Sequence, residues 1–284
     1  MTAPNTITVT GSTGHLGGAV LRLLLDQGQS PTLIVRDPLR APSGDHEVRQ
    51  ADYGDFEASV KALEGCEVLF MVSGSESLDR LDQHRTFVRA AAAANVKHVV
   101  YTSFVGASPT ATFTLARDHF ATEEALKESG MAWTFLRDSF YLDFLPLLAD
   151  QDGVIRGPAG EGLVGGVARM DVARCAATVL VDPAKHAGKT YDLTGPEALT
   201  LRQAAGIISD VTGRATVYEE ETVKQAYESR AKYGAPDWEL DAWVSTYTAI
   251  AAGELAAVTN AVYELTGEAP LTLAEVLRRQ ETAG

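Results

Sequence analysis

Three glycines spaced three apart, Gly11, Gly14 and Gly17, stand near the start of the chain in the run TVTGSTGHLGG. An apolar run, Ile7 to Val9, precedes them, and a leucine-rich stretch follows. A strand, a glycine turn and a helix in that order suit the binding of a nucleotide. The first glycine permits the tight turn, the second lets the backbone approach a pyrophosphate, and the third lets the helix pack closely on the strand. The helix N-terminus then offers unpaired N–H groups and about half a positive charge to the phosphates. The spacing is G-x-x-G-x-x-G rather than G-x-G-x-x-G, so the flanking elements must support the assignment. A turn of purely structural use is the competing reading.

The end of the second strand selects the cofactor. An acidic residue there would bind a ribose 2′-hydroxyl and favour NAD(H). Here the strand ends LIVRDP, with Arg36 before Asp37. A guanidinium suits a 2′-phosphate through charge-assisted hydrogen bonds, so NADP(H) is expected, with NAD(H) the alternative that Asp37 keeps open.

Other chemistries find little support. The six histidines show no metal-ligand spacing, and GSTG and YTSF are not the G-x-S-x-G turn of hydrolases. There is no G-x-x-x-x-G-K-[ST] for an ATP site. Cys66 and Cys175 lie far apart outside any CxxC pattern, which argues against a disulfide framework or zinc. A net charge of −14 opposes broad binding to nucleic acid or anionic membranes. No apolar run approaches the roughly 20 residues of a membrane span, and the first residues lack a signal-peptide pattern. A cytoplasmic protein, monomer or homodimer, is expected.

The elements that must position these residues alternate. Strand-like runs at 6–10, 31–35, 67–72, 98–102 and 133–136, and a short one within HEVRQADY, are interleaved with helix-like segments at 16–27, 56–63, 81–94 and 115–127. Asp55 reads as the cap of the second helix, and RAAAAANV (89–96) as buried helix. Such alternation predicts an α/β Rossmann-type doubly wound parallel sheet. Residues 150–166 carry six glycines and read as loop or hairpin. Further on, 171–180 reads as a helix capped by Asp171, 188–195 as a strand, 199–211 as a helix, GRATVYEE as a strand, and the rest as mostly helix. The expected division is a nucleotide-binding domain over 1–150, with later strands returning to it. A smaller, mostly helical, partly interleaved lobe over 151–284 would cover the substrate. Trp238, Trp243 and Tyr247 read as a core helix face.

The strings VTGSTGHLG, VRDP, RQADYGD, QHRTFVRAAAAANVKHVVYTS, TFLRDSFYLDF and GKTYDLTG together resemble the NmrA-like branch of the atypical short-chain dehydrogenase/reductases, in particular its bacterial NADPH:quinone reductases. The resemblance runs from about residue 6 to 215. It implies a cofactor in the cleft between sheet and lobe. Gly11, Thr13, Gly14, His15, Leu16 and Gly17 would cradle the pyrophosphate, Arg36 would take the 2′-phosphate, and Asp52 and Tyr53 would flank the adenine. Ser73, Gly74 and Ser75 of SGSES would line the ribose and nicotinamide side, with Ser103 at the end of the fifth strand. Asp138, Ser139, Phe140 and Tyr141 would close over the nicotinamide.

The same resemblance exposes a departure. Typical members of the wider family use Tyr-x-x-x-Lys on the helix after the fifth strand, four residues apart and so on one face. Here those positions are Leu115 and His119. Carbonyl–alcohol interconversion loses its proton donor, whereas a quinone-like acceptor delocalises the incoming charge and needs mainly orientation. The expectation is therefore an NADPH-dependent reductase of a small apolar or aromatic acceptor. Its acceptor pocket would hold Phe104, Phe140, Tyr141 and Phe144, and His119 and Tyr141 are the candidate catalytic residues. A non-catalytic NADP-binding redox sensor and a reductase of azo, imine or carbonyl substrates are the alternatives.

Overall fold

Every residue of the runs ITVT, TLIV and VLFM is buried, as strands covered on both faces must be. The computed structural model describes residues 6–283. In chain order, the first half runs β1 (Ile7–Thr10), α1 (His15–Asp26), β2 (Thr32–Val35), β3 (Val48–Gln50), α2 (Phe56–Ala62), β4 (Val68–Met71), α3 (Arg80–Ala93), β5 (His98–Phe104), α4 (Thr114–Glu128) and β6 (Ala132–Asp138). The second half runs β7 (Val154–Gly157), β8 (Leu163–Val164), α5 (Arg169–Val181), β9 (Lys189–Leu193), β10 (Leu199–Thr200), α6 (Leu201–Thr212), β11 (Val217–Glu220), α7 (Val223–Arg230), α8 (Asp237–Ala251), α9 (Ala261–Thr266) and α10 (Leu273–Ala283).

The main sheet has seven strands in the order β3-β2-β1-β4-β5-β6-β9. The pairings from β3 through β5 are parallel, with Val9 beside Leu33 on one side and Phe70 on the other. The strand order reverses between β1 and β4. A crevice at the carboxyl ends of those strands is where such sheets bind ligands. The expected Rossmann-type sheet is thus observed.

The chain forms two compact units. One comprises the residues up to Ser103 with Asp118–Arg137 and Val172–Tyr191, and the other Phe104–Arg117, Asp138–Asp171 and the residues from Asp192 onward. The first has a core of Leu69, Met71, Phe87, Tyr101, Leu126 and Phe135, among others, and Ala91 of the alanine run belongs to it. Asp55 caps α2 as expected, accepting from the Ala58 N–H at 3.0 Å.

In the second unit the reading of 150–166 as loop or hairpin is corrected. β7 and β8 do not pair with each other. β7 pairs in parallel with β11, and β8 antiparallel with β10. The glycines are there for close packing as much as for turning. A Cβ on Gly157 would stand 2.2 Å from the Tyr247 ring, and one on Gly162 would stand 2.2 Å from the Ile250 carbonyl oxygen. Tyr247 is core, as the helical spacing suggested, while Trp238 and Trp243 are only half-buried. Asp171 is not a cap. It lies in the first turn of α5, fully buried, and accepts from the Leu271 N–H at 2.7 Å, 100 residues along the chain. The sixth helix starts two residues late, because Leu199 and Thr200 pair with β8 and Thr200 then closes a capping box with Gln203.

His98, at the start of β5, is buried with Nε2 2.8 Å from the Thr134 hydroxyl. That hydroxyl donates to the His186 carbonyl, so the imidazole donates to Thr134 from Nε2. Burial, with nearby His186, pushes its pKa down to about 4. Below pH 6.5 the unfolded chain takes up a proton that the folded one refuses, so stability falls with pH until about 4. The full slope for one histidine is about 1.4 kcal/mol per pH unit. Urea unfolding across pH 4–7 should show that slope reduced in His98→Gln, and an unchanged slope would contradict the assignment.

Candidate cofactor and active site

The turn from β1 to α1 has the shape the glycine spacing suggested. Gly11 has φ +66°, and a Cβ there would stand 2.9 Å from that of Val72. The Gly14 N–H closes the turn on the Gly11 carbonyl at 2.9 Å. A Cβ on Gly17 would fall 2.3 Å from the same carbonyl oxygen. Gly14 stands at the N-cap without a side chain to cap the helix, and the first turn of α1 has no acidic residue. Its N–H groups are left for an anion. Ser12 in this turn keeps its hydroxyl buried with no hydrogen-bond partner among the described residues. His15 is exposed at the first helical position, and Leu16 is buried. The turn fits a dinucleotide's phosphates by its missing side chains and uncapped helix end.

Thr10 anchors this turn to β4. Its hydroxyl donates to the Phe70 carbonyl at 3.0 Å, accepts from the Val72 N–H at 3.0 Å, and lies 2.6 Å from the Tyr53 hydroxyl. Tyr53 donates to the Val72 carbonyl at 2.7 Å and stacks on Phe87 at 4.1 Å. Beside them is a cavity of ≈ 300 Å³ lined by Gly11, Thr13, Arg36, Asp52, Tyr53, Ser73, Gly74 and Ser75, and also by Ser77, Asp79 and Gln83. Eight of the expected cofactor residues thus share one pocket of the first unit.

At the rim, Arg36 is exposed, and its guanidinium makes no ion pair among the described residues. Asp37 is committed elsewhere. Its carboxylate accepts from the Leu39 N–H at 3.0 Å and caps the short turn at Pro38–Arg40. Asp52 likewise accepts from the Gly54 N–H at 2.9 Å while lining the cavity.

Behind the loop at 73–77 lies a buried polar chain that sequence reading passed over. His84 accepts the Gly74 N–H on Nε2 at 2.8 Å, so its Nδ1 donates to Thr122 at 2.9 Å. Arg80, only 3% exposed, donates to the Gly74 carbonyl at 3.0 Å, to Asp118 at 3.4 Å and to His119 Nε2 at 3.1 Å. The guanidinium can only donate, so Nε2 of His119 accepts and its Nδ1–H faces the Tyr101 hydroxyl at 2.9 Å. Burial and Arg80 hold the His119 pKa well below the usual histidine range, and push that of His84 down to about 3. Both imidazoles are neutral at pH 7. The four-residue spacing of Arg80 and His84, which puts them on one face of α3 beside the apolar Phe87 and Val88, was the signal available in the sequence. Ser103 is buried and donates to Glu123 at 2.6 Å, and Glu123 forms a two-pronged pair with Arg137 at 2.8 and 2.6 Å.

The second unit holds the remaining candidates. Asp138 and Ser139 are buried, and the Tyr141 hydroxyl donates to Asp138 Oδ2 at 2.7 Å. Tyr141 stacks on Phe144 at 6.1 Å, Phe140 lies 6.5 Å from Phe144, and the Arg169 guanidinium sits 4.5 Å over Phe144. Phe104 packs on Phe113 at 4.9 Å. Among the described residues no group of histidine, cysteine and carboxylate side chains could hold a metal ion, and no helix is long and apolar enough to cross a membrane.

A parallel sheet whose uncapped helix and glycine turn sit at the strand-order reversal defines a dinucleotide-binding α/β protein. A family model described as NAD(P)H-binding matches residues 11–183. Quinone oxidoreductase 2 of Escherichia coli strain K12 is 35% identical over 277 residues, spanning 95% of this chain and 96% of the relative. An NmrA-like family domain-containing oxidoreductase of Aspergillus flavus is 28% identical over 292 residues, spanning 95% and 93%. The solved NADPH-dependent quinone oxidoreductase of E. coli, complexed with NADPH, superposes with a TM-score of 0.88 at 34% identity, over 97% of this chain and all of the other. The chain belongs to the NAD(P)H-binding family, as an oxidoreductase related to its NmrA-like members, and the motif resemblance is borne out.

The Gly17 contact is directly testable. Gly17→Ala should lose about 1–3 kcal/mol of stability, since the clash is with backbone that cannot swing aside. Chemical denaturation checks this, and a loss below about 0.5 kcal/mol would show that the turn gives way.

Proposed function

We propose that the protein is an NADPH-dependent reductase of quinone-like or similarly conjugated acceptors. The observation that carries the cofactor choice is the Arg36 guanidinium at the cavity rim, without an ion pair among the described residues, while Asp37 is spent as a cap. Gly11, Thr13, Gly14, His15, Leu16 and Gly17 would hold the diphosphate, and Asp52 and Tyr53 the adenine end. Ser73, Gly74 and Ser75 would line the ribose, on a loop fixed by Arg80 and His84. Ser103, Asp138, Ser139 and Phe140 complete the proposed cofactor set, while His119, expected among them, is held by Arg80 and Tyr101 instead. When bound, NADPH supplies a hydride and its two electrons.

The acceptor class follows from what the helix after β5 offers. The positions of a Tyr-x-x-x-Lys pair hold Leu115 and His119, and His119 is a neutral imidazole with both nitrogens engaged. It serves as a positioning residue for Arg80 and the 73–77 loop rather than as a proton donor. A conjugated acceptor spreads its charge and asks for little acid catalysis. Phe140, Tyr141 and Phe144 offer flat apolar faces to such a ring, with Phe104 as a further wall, and the Tyr141 hydroxyl is the group able to donate a proton. The full-length likeness to quinone oxidoreductase 2 supports the same class.

Mixing purified protein with NADPH and a panel of quinones should deplete the nicotinamide absorbance. Tight NADPH binding without turnover of any acceptor would instead favour a redox sensor. Arg36→Ala should weaken NADPH binding by about 1.5–3 kcal/mol, one charged hydrogen bond, and leave NADH binding unchanged. Equal losses for both cofactors would defeat the 2′-phosphate role.

A further inference from the structure

We propose that Asp138 is the proton store of this reduction, passing its carboxyl proton through the Tyr141 hydroxyl to the reduced acceptor. The inference rests on the reductase reading above and deepens it at one point, the origin of the proton.

Three observations place the proton there. Asp138, at the end of β6, is 2% exposed, and Tyr141 Oη lies 2.7 Å from its Oδ2. Its other oxygen, Oδ1, is buried with no hydrogen-bond partner. Among the described residues no cation pairs with the carboxyl. The Arg169 guanidinium of α5 lies over the Tyr141 and Phe144 rings and 3.8 Å from Asp143 Oδ1, while Asp143 Oδ2 accepts from the Arg169 backbone N–H at 2.9 Å. Arg169 and Asp143 are the titratable groups around the pair.

A buried carboxylate with an empty oxygen and no cation is costly, whereas the neutral acid is not. Burial pushes the Asp138 pKa up to about 8, against a lowering by the Tyr141 hydrogen bond. Tyr141 itself is held well above the usual phenol range by burial and by Asp138. A tyrosine acting alone would be left as a phenolate in a site that disfavours it. With Asp138 behind it, no phenolate persists. In the neutral acid Asp138 donates from Oδ2 to Tyr141 Oη across that same 2.7 Å contact, which turns the Tyr141 O–H to the acceptor; that O–H bond breaks as the acceptor oxygen gains the proton, and the Asp138 O–H bond breaks as Tyr141 regains one. The acceptor's two electrons come from the nicotinamide cofactor, and the carboxylate is refilled with a proton from solvent. An acid with its pKa near the working pH suits that cycle.

The test begins on the protein without cofactor or acceptor. Infrared spectra of the full chain should show a protonated-carboxyl carbonyl band at pH 7. That band should fade through about pH 8, be absent in Asp138→Asn and be retained in Tyr141→Phe. In turnover with saturating NADPH and a quinone, Asp138→Asn should lose at least tenfold in kcat and lose the decline of rate above pH 8. Tyr141→Phe should lose rate comparably. Absence of the band at pH 7, or its survival in Asp138→Asn, overturns the proton store. A band that behaves as expected, with Asp138→Asn keeping the wild-type rate and pH profile, overturns the relay. No turnover of any acceptor by the wild type, with the band present, overturns the reductase reading instead.

Discussion

A main chain can approach a diphosphate only where no side chain intervenes, and the turn from β1 to α1 is built around that requirement. Gly17 lets α1 sit against the Gly11 carbonyl, and Gly11 takes a conformation that other residues reach only with strain. Thr10 then ties the strand end to β4 and the residue after it, through the Phe70 carbonyl and the Val72 N–H. The cavity opens beside this junction because β1 and β4 are neighbours in the sheet while the chain between them runs out through β2 and β3. Other proposed cofactor residues of this unit, Arg36, Asp52, Tyr53, Ser73, Gly74 and Ser75, line the same cavity.

The loop at 73–77 shows how a site is fixed from behind. Its Gly74 presents an N–H to His84 and a carbonyl to Arg80, and both side chains come from one face of α3. Arg80 is buried yet satisfied, by a backbone carbonyl, a carboxylate and an imidazole. The imidazoles stay neutral because each accepts a bond on Nε2 and because burial penalises a charge. The Tyr101, His119, Arg80 and His84 network is therefore a rigid support. Histidine is used here for geometry, although its ordinary pKa would suit acid–base work.

The alternation of short apolar runs and helices, and with it the sheet, was legible in the chain because those runs are buried on both faces and carry no polar interruption. The Asp55 cap was legible for a similar reason, being local. The glycine-rich stretch at 150–166 was not. Its strands pair with segments more than thirty residues away, and its glycines are selected by Tyr247 and Ile250, which lie far along the sequence. Asp171 misled for the same reason, since a carboxylate at a helix start is read as a cap unless a distant N–H claims it.

The sequence by itself determined the class of ligand: the spacing of Gly11, Gly14 and Gly17 after a buried strand, and Arg36 at the end of the next, are local features that no folding partner needs to complete. The tertiary structure decided what the other polar residues are for. It turned Asp37 into a cap, His119 into a neutral acceptor of Arg80, and Asp138 into a buried carboxyl beside Tyr141 with an unpartnered oxygen. A side chain's charge and hydrogen-bonding role depend on its burial and on which groups face it, and those are set by residues distant in the chain.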